Sequence, residues 1–212
     1  GARPETPPDL SADRDAALEL IPVSRETSER LDRLVELLLR WSAHTNLIAR
    51  STLPTVWTRH IADSLQLLPL APDAKCWIDL GSGAGFPGLA TGAIFDGTTV
   101  LIEPRARRAA FLSEAVADLG IGDRVSVIQS RSETATPAPA RIVSARAVAS
   151  IDQILAMSAH LRTPATTYIL PRGRTGLDEL ASASARWHGV FHVEQSLTDP
   201  DSTIVIARGV AR

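Results

Sequence analysis

The last part of the sequence places the strongest limit on the fold that this chain can adopt. Residues 190–195 and 203–207 both have the apolar, β-branched character of strands, and only seven residues, including Pro200, separate them. A parallel crossover needs about a dozen residues or more, so the two strands must form an antiparallel hairpin. A sheet that continued with helical crossovers to its last strand is therefore excluded.

Before this hairpin, short β-branched or apolar runs alternate with helical stretches. Strands are predicted at 76–80, 98–102, 124–129, 142–144 and 166–170. Helices are predicted from the end of the first strand to about residue 95 and at 105–119, 151–161 and 175–187. The alternation predicts βαβ units, and hence an α/β, Rossmann-like, seven-stranded and mostly parallel sheet with a terminal antiparallel hairpin. That layout is typical of class I S-adenosylmethionine (SAM)-dependent methyltransferases.

The chain before this sheet is expected to be helical. Residues 1–24 are rich in Pro, Asp and Glu and are predicted to form a loosely ordered tail, with a short helix around 16–20. Residues 25–72 are predicted to form an N-terminal helical appendage, because their apolar residues recur at helical spacing. This leaves residues 73–212 as the methyltransferase domain.

Two helices are expected within the appendage. The first runs from about 27 to 42, with Thr27 or Ser28 as its N-cap. The second runs from about 57 to 68, and Pro69 ends it.

Composition excludes several classes of protein. The chain has 212 residues, 44% of them hydrophobic, and a formal net charge of -2, which is typical of a globular domain and not of a disordered chain. A single cysteine, Cys76, rules out an internal disulfide, and no apolar run approaches the roughly 18 residues of a membrane span. No metal site is expected, and a cytoplasmic monomer with no membrane association is predicted.

Basic side chains are concentrated in the middle of the chain. Residues 101–175 have a net charge of +4, whereas 1–100 have -4 and 176–212 have -2. Several arginines in the basic stretch follow the ends of predicted strands, namely Arg105, Arg107, Arg108, Arg131, Arg146 and Arg172. Since the carboxyl ends of parallel strands meet at one edge, these arginines are predicted to form a local surface for a polyanion such as RNA.

The strongest local signal is the glycine loop after the first strand. Gly81, Gly83 and Gly85 allow a sharp turn and a close approach of the backbone to a ligand. Glu103 ends the second strand, 22 residues after Gly81, where a carboxylate can accept both hydroxyls of a ribose. The combination predicts a nucleoside cofactor, and the Asp-x-Gly-x-Gly-x-Gly spacing favours SAM over NAD or FAD. The alternative is a tight turn without a ligand.

Other candidate residues have simpler interpretations. Cys76 begins its strand, away from the ligand edge, and is interpreted as a buried structural thiol, which removes a thiolate-adduct mechanism. His188 and His192 lack a third metal ligand. The element that begins with Arg59-His60 and ends with Asp63-Ser64 is either a polar anchor between helices or a wall of the substrate pocket.

The chain resembles the bacterial small-subunit rRNA guanine-N7 methyltransferases, also called the glucose-inhibited division B family, over about residues 31–180. The residues that carry the resemblance are Trp41, Asn46-Leu47, Arg59-His60-Ile61, Asp63-Ser64, Asp79 to Gly88 with its Gly-Phe-Pro-Gly, Arg107-Arg108, Phe111-Leu112, Arg131, Glu133, Arg146-Ala147 and Arg172-Gly173.

The resemblance implies SAM as the methyl donor and guanine 527, in the 530 loop of 16S rRNA, as the acceptor, so that the 30S subunit or its RNA is the partner. It implies that SAM contacts come from the glycine loop, including Phe86, and that Ser132-Glu133 contact the adenine end. Arg146 is implied as the catalytic residue and a cofactor contact. The residues implied to face RNA or the active site are Arg107, Arg108, Arg131 and Arg172.

The chain departs from the family pattern at three positions. Ser42 stands where Asn is usual, Ala145 stands where Ser is usual, and Arg172 stands where Lys is usual. Arginine and lysine are not interchangeable in a tight pocket, so the role of Arg172 stays open. Two alternative functions also stay open: a SAM-dependent methyltransferase for another RNA or a small molecule, and a catalytically silent SAM-binding module.

Overall fold

A computed structural model describes residues 6–146 and 148–212. Seven strands form one sheet in the order β3-β2-β1-β4-β5-β7-β6. The strands are β1 (Cys76–Leu80), β2 (Thr98–Ile102), β3 (Val125–Ile128), β4 (Ile142–Ala145), β5 (Thr167–Arg172), β6 (His188–Gln195) and β7 (Thr203–Ala211). Strands β1 to β5 are parallel, and β7 is antiparallel to both β5 and β6. The predicted mostly parallel sheet with its terminal hairpin is confirmed.

The helices lie before and between these strands. They are α1 (Ser11–Leu20), α2 (Arg25–Ser42), α3 (Asp63–Leu65), α4 (Gly88–Gly92), α5 (Ala106–Asp118), α6 (Ile151–Met157) and α7 (Gly176–Ser184). Three 3-10 turns are found at Arg50–Thr55, Leu68–Leu70 and Ala159–Leu161, and one π-helical turn, Trp57–Ala62, leads into α3.

The sheet is covered on both faces, because neighbouring residues of a strand point to opposite sides. Ile78 of β1 belongs to a buried cluster with Ile154 of α6 and Ala183 of α7. Trp77, next to it, packs in a different cluster with Leu67 and Phe95. Burial on both faces explains why these strands are continuously apolar rather than alternating.

The predicted tail contains a longer helix than expected: α1 spans Ser11–Leu20, whereas a short helix around 16–20 is predicted. This helix is docked by polar contacts that hydropathy does not reveal. Asp13 accepts hydrogen bonds from the backbone N–H of Trp57 at 2.8 Å and from the hydroxyl of Thr58 at 2.6 Å. Arg14 donates to both carboxylate oxygens of Asp32, at 2.7 and 2.9 Å. Residues 1–5 of the predicted tail lie outside the described residues.

The boundaries of the helical segments also differ from those expected. Helix α2 begins at Arg25, and Ser24, rather than Thr27 or Ser28, caps it by accepting from the N–H of Thr27. The second helix of the appendage is not one α-helix, because it begins as the π-helical turn and ends in the 3-10 turn at Leu68–Leu70. One buried cluster contains Leu34 of α2, Ile61 of the π-helical turn and Phe111 of α5, so the N-terminal helices share a core with the sheet domain.

Candidate active site

The glycine loop after β1 has a backbone conformation that residues other than glycine rarely adopt. Gly81, Gly83 and Gly85 have φ angles of 61°, 55° and 94°. A Cβ on Gly81 would lie 2.6 Å from the Val148 side chain, and one on Gly85 would lie 2.7 Å from the Leu89 side chain. The loop therefore needs glycine for both its backbone angles and its space.

Asp79, at the end of β1, holds the glycine loop in place through hydrogen bonds. Its carboxylate is fully buried, accepts from the Ser144 hydroxyl at 2.7 Å and accepts from the backbone N–H of Gly88 at 3.2 Å. Burial raises the pKa of Asp79 to about 6, against the opposing effect of these hydrogen bonds. Asp79 thus joins β1, β4 and the start of α4 and holds the loop between them.

Glu103, at the end of β2, is held in place by the backbone. One carboxylate oxygen accepts from the N–H of Gly83 at 2.9 Å, and the other accepts from the N–H of Arg105 at 2.7 Å. Its side chain is buried but lines the cavity above the loop. Each oxygen keeps a second lone pair, which is the arrangement needed to accept the two hydroxyls of a ribose.

These elements enclose a cavity of about 580 Å³, within the usual range of small-molecule sites. Most of the residues predicted to bind cofactor or RNA line it, namely Gly81, Gly83, Phe86, Glu103, Arg108, Arg131, Ser132, Glu133 and Arg146. The positive-φ glycines and the fixed carboxylate of Glu103 fit a nucleoside cofactor. Arg108 and Arg131 add positive charge at the cavity.

Arg146, directly after β4, is held in a polar network. Its Nη2 donates to Nδ1 of His60 at 3.0 Å, and its Nη1 donates to Asp63 at 3.4 Å. Its guanidinium also lies 5.7 Å from the ring centroid of Phe86, against which the His60 ring stacks at 5.0 Å. Burial lowers the pKa of Arg146 from its ordinary value, and the charge of Asp63 opposes that effect.

His60 is neutral in this arrangement. Burial first, and then the positive charges of Arg146 and Arg59, lower the pKa of His60 to about 3. The imidazole therefore acts as a hydrogen-bond acceptor for Arg146 rather than as a second cation. His60 lines the cavity beside Phe86 and Arg146.

The C-terminal hairpin holds Asp63 from the other side. Thr198, in the connection between β6 and β7, donates its hydroxyl to Asp63 at 2.7 Å. Gln66 accepts from the N–H of Leu197 at 2.8 Å and donates to the Ser196 hydroxyl at 3.2 Å. Arg146 is thus held through Asp63 by a segment more than 50 residues further along the chain.

Three predicted site residues do not line this cavity. Gly85 lies within the turn below it and accepts from the N–H of Leu89. Arg107 is exposed beside α2 and donates to the Thr45 hydroxyl at 3.0 Å. Arg172 is buried against Glu179, to which its Nη2 donates at 2.7 Å.

The expectation that Arg172 faces RNA or the active site stays a prediction: its side chain is mostly buried and does not line this cavity. That expectation came from its position after a strand. The direction of the Arg172 side chain is instead set by the carboxylate of Glu179 on α7. The sequence does not reveal where α7 packs.

Sequence reasoning left His60, Asp63 and Asp79 outside the site. The signal for the first two was the Arg-His-x-x-Asp-Ser element, whose alternative interpretation as a pocket wall agrees with the position of His60. The signal for Asp79 was its place at the end of a strand, directly before the glycine loop.

Residues 6–146 and 148–212 were searched for a membrane-spanning helix and for a metal-binding group of side chains. No helix there combines the length and the apolar character that crossing a bilayer requires. In the same part of the chain, no group of three or more His, Cys, Asp and Glu side chains is placed to hold a metal ion.

The chain is similar to known methyltransferases over most of its length. A ribosomal RNA small subunit methyltransferase G from Rhodopseudomonas palustris (strain BisA53) is 43% identical over 203 residues, which cover 94% of this chain and 88% of that protein. The protein of the same name from Bradyrhizobium diazoefficiens is 45% identical over 202 residues, which cover 89% of this chain and 75% of that protein.

Among solved structures, an O-methyltransferase from Bacillus cereus in complex with SAH superposes with a TM-score of 0.60. It is 15% identical and covers 94% of this chain and 98% of its own, so the likeness concerns the fold. The family model for rRNA small subunit methyltransferase G matches residues 27–209. With that match and relatives above 40% identity, the chain belongs to the rRNA small subunit methyltransferase G family.

Proposed function

We propose that this protein transfers the methyl group of SAM to N7 of guanine 527, in the 530 loop of 16S rRNA. As a member of its family, the chain is a SAM-dependent rRNA methyltransferase. The acceptor atom, the nucleotide, the 30S subunit as partner, the monomeric state and the cytoplasmic location are parts of the proposal. One observation carries it: a single cavity joins Glu103, after β2, to Arg146, after β4, with arginines on its wall.

The glycine loop and Glu103 are suited to bind and orient the cofactor. The backbone of Gly81 and Gly83 leaves room for a close approach, and Glu103 would accept the ribose hydroxyls. Ser132 and Glu133 line the same cavity and would contact the adenine end. Bound SAM supplies a methyl group on a positively charged sulfur.

The acceptor chemistry needs little from the protein beyond placement. N7 of guanine carries a lone pair and no proton, so its attack on a methyl group requires no general base. His60 cannot act as a general base through Nδ1, because that nitrogen accepts a hydrogen bond from Arg146. The enzyme's contribution is to hold nucleophile and methyl group in line.

Arg146 is the residue best placed to orient the acceptor. An arginine that took both O6 and N7 of guanine would block the atom to be methylated. Arg146 therefore serves O6, a phosphate or the cofactor carboxylate, and leaves N7 free. Its bonds to His60 and Asp63 fix its direction before any ligand binds.

The exposed arginines near the cavity supply attraction for the RNA backbone. Arg105 and Arg131 are exposed and line the cavity, and Arg107 lies outside it on the first turn of α5. This agrees with a local net charge of +4 over 101–175 in a protein whose total charge is -2.

The test is methyl transfer to 30S subunits and to deproteinised 16S rRNA from a strain that lacks the modification. Radiolabelled SAM reports transfer, and borohydride–aniline cleavage followed by primer extension locates N7-methylguanine. We expect a single new cleavage at guanine 527. Already methylated subunits are the control and should accept no label.

The alternatives give different results. Label that appears in small metabolites or in another RNA, with none in 16S rRNA, would identify a different acceptor. Binding of SAM in calorimetry with no turnover on either rRNA substrate would identify a silent binding module.

A further inference from the structure

A second cavity, of about 310 Å³, lies where the end of α2 meets α5. Its walls come from α2, from the segment that follows α2 and from α5, and include Arg40, Trp41, His44, Thr45, Arg107 and Glu114. It shares no lining residue with the cavity that fits the cofactor, so it is a separate site. Its volume is at the small end of ligand sites and suits a single base rather than a whole cofactor.

Trp41 stands apart from the other tryptophans of this chain. All four lie in the described part of the chain, and three of them have 5% or less of their surface exposed, whereas Trp41 is partly exposed and lines the second cavity. Its ring is held at two points, because Nε1 donates to Glu114 at 2.6 Å and the ring meets that of Phe111 edge-on at 5.6 Å between centroids. A fixed and partly exposed aromatic ring is a surface on which any base can stack.

Two arginines on the wall of this cavity are available to an anion. Arg40 and Arg107 are exposed, and neither forms an ion pair within residues 6–146 and 148–212. Arg107 uses Nη2 on the Thr45 hydroxyl at 3.0 Å, which leaves Nε and Nη1 for a ligand. A base on Trp41 would therefore have its phosphates close to two guanidinium groups.

A third cavity connects the second cavity to the cofactor side. It shares residues 44–45 with the second cavity and 48–49 with the first, and adds Arg50. Thr45 lines the second cavity and Leu47 lines the first, so their Cα atoms lie within about 7 Å of each other. Nearby nucleotides of one RNA strand can therefore reach both cavities.

The charges along these three cavities favour a polyanion. Seven arginines line them, against three glutamates. The glutamates are already engaged: Glu103 accepts from two backbone N–H groups, and Glu114 accepts from Trp41. Glu133 pairs with Arg131 at 3.2 Å. The remaining excess of positive charge favours an RNA strand over a protein of mixed charge.

We propose that the second cavity binds one unpaired base of the substrate RNA, close in sequence to the nucleotide that is methylated. The base stacks on Trp41, and Arg40 and Arg107 bind its neighbouring phosphates. Stacking accepts any base, so this contact holds the strand and positions the target nucleotide without selecting it. The inference rests on the proposed function, which makes RNA the substrate, and adds to it the site of a second nucleotide.

The first test removes one charge. Arg40→Gln should leave the fold unchanged, because Arg40 is exposed and forms no ion pair in the described part of the chain. We expect the slope of log K against log salt concentration for 16S rRNA to become shallower by about one. The matched control is Arg25→Gln, an exposed change on the same helix about 22 Å away along its axis, which should keep the wild-type slope. Equal slopes for wild type and Arg40→Gln would overturn the proposal.

The second test removes a base. Splint-ligated 16S rRNA carries one abasic nucleotide, placed in turn at each of about three positions on either side of the target. We expect kcat/KM of the wild-type enzyme to fall about 5- to 50-fold for one of these positions. In Trp41→Leu, the substrate with that abasic nucleotide should be used as well as the intact RNA, whereas Trp41→Phe should keep most of the difference. A damaged fold would lower both rates and leave their ratio unchanged, so a ratio in Trp41→Leu equal to that of the wild type overturns the proposal.

Fluorescence keeps the test available if Trp41→Leu does not fold. Trp41 is the tryptophan that a base can reach, and a stacked base quenches indole emission. Intact 16S rRNA should quench the wild-type protein, and the abasic nucleotide at the sensitive position should remove most of that quenching. Equal quenching by the intact RNA and by every abasic RNA would overturn the assignment.

The two proposals fail separately. No transfer by the wild-type enzyme to either unmodified rRNA substrate overturns the proposed function and this assignment with it. Normal transfer to guanine 527, with salt slopes and base dependence unchanged in the variants, overturns only the assignment of the second cavity. Variants that lose transfer to 30S subunits but not to deproteinised 16S rRNA would show that a ribosomal protein, and not a base, occupies the cavity.

Discussion

Nη2 of Arg146 lies 3.0 Å from Nδ1 of His60. Arginine has only donors, so Nδ1 must be the unprotonated nitrogen and Nε2 carries the proton of the neutral ring. Nε2 lies 3.0 Å from the hydroxyl of Thr52, which can accept that proton's hydrogen bond. A neutral histidine thus fixes the direction of an arginine that lines the same cavity.

Arg146→Ala should lower kcat for methyl transfer by about 100-fold or more, because it removes a preorganised donor from the reacting centre. The SAM Kd should stay within about threefold, since the ribose is held elsewhere. Steady-state assays and calorimetry measure the two effects. Arg59→Ala, an exposed change on the same turn as His60, is the control. Abolished SAM binding in Arg146→Ala would show instead that Arg146 is mainly a cofactor residue.

Glu103→Gln should weaken SAM binding by about 10- to 100-fold. The variant places an NH2 group where the carboxylate now meets the N–H of Gly83 or of Arg105, so one contact becomes donor against donor. Titration calorimetry gives the affinity, and circular dichroism checks the fold. Glu36→Gln, at an exposed position of α2 outside the cavity, is the control and should leave the affinity unchanged; equal losses would contradict a specific role for Glu103.

Asp79 makes stability depend on pH in a defined direction. The pKa of Asp79 is raised from 3.8 to about 6 by burial, so the folded state binds a proton more tightly than the unfolded state does. Its contribution to the free energy of unfolding is therefore greatest below about pH 4 and falls by up to about 3 kcal/mol as pH rises through 6.

Urea unfolding of the wild type and of Asp79→Asn at pH 5 and pH 8 measures this contribution. The loss of stability in Asp79→Asn should be larger at pH 5 than at pH 8, because the asparagine cannot take up the proton. A loss that is equal at the two pH values would mean that burial does not raise the pKa of Asp79.

Asp13→Ala should lower the free energy of unfolding by about 1–2 kcal/mol, as the loss of an N-cap does. The carboxylate accepts from the N–H of Trp57 and the hydroxyl of Thr58, at the start of the turn that carries His60. Chemical denaturation measures the effect. Glu19→Ala, at an exposed position of α1, should change stability by less than about 0.5 kcal/mol.

Arg131→Gln should weaken RNA binding while leaving kcat nearly unchanged. If Arg131 neutralises one phosphate, the slope of log K against log salt concentration should become shallower by about one. Filter binding to 16S rRNA at several salt concentrations gives the slope. Arg25→Gln, an exposed change on α2 far along the chain, is the control; equal slopes for wild type and Arg131→Gln would remove Arg131 from the RNA-binding surface.

The central strands β1, β4 and β5 could be predicted from the sequence because nearly all of their residues are buried, which gives continuous apolar runs. The bounds of β1 and β2 agree with the sequence prediction. The antiparallel direction of β6 and β7 followed from a connection too short for a crossover. These features depend on local pattern and on length, which a single sequence contains.

The parts that could not be predicted depend on contacts between distant residues. Helix α1 is docked through Asp13 and Arg14, whose partners are polar and lie far along the chain. The direction of Arg172 is set by Glu179, and that of Arg146 by His60 and Asp63. The position of these residues after strand ends predicted that they lie at one edge of the sheet. The directions of their side chains depend on partners that the sequence pattern does not identify.

The hydrogen bond from Thr198 to Asp63 joins residues 135 positions apart. During translation, β1 to β5, with the glycine loop and Glu103, are therefore synthesised well before Thr198, the residue that holds Asp63. The cofactor side of the site can form on the nascent chain, but the anchor of Arg146 is completed only when the final hairpin is released. The anchor of Arg146 is thus synthesised after the residues that line the cofactor side of the site.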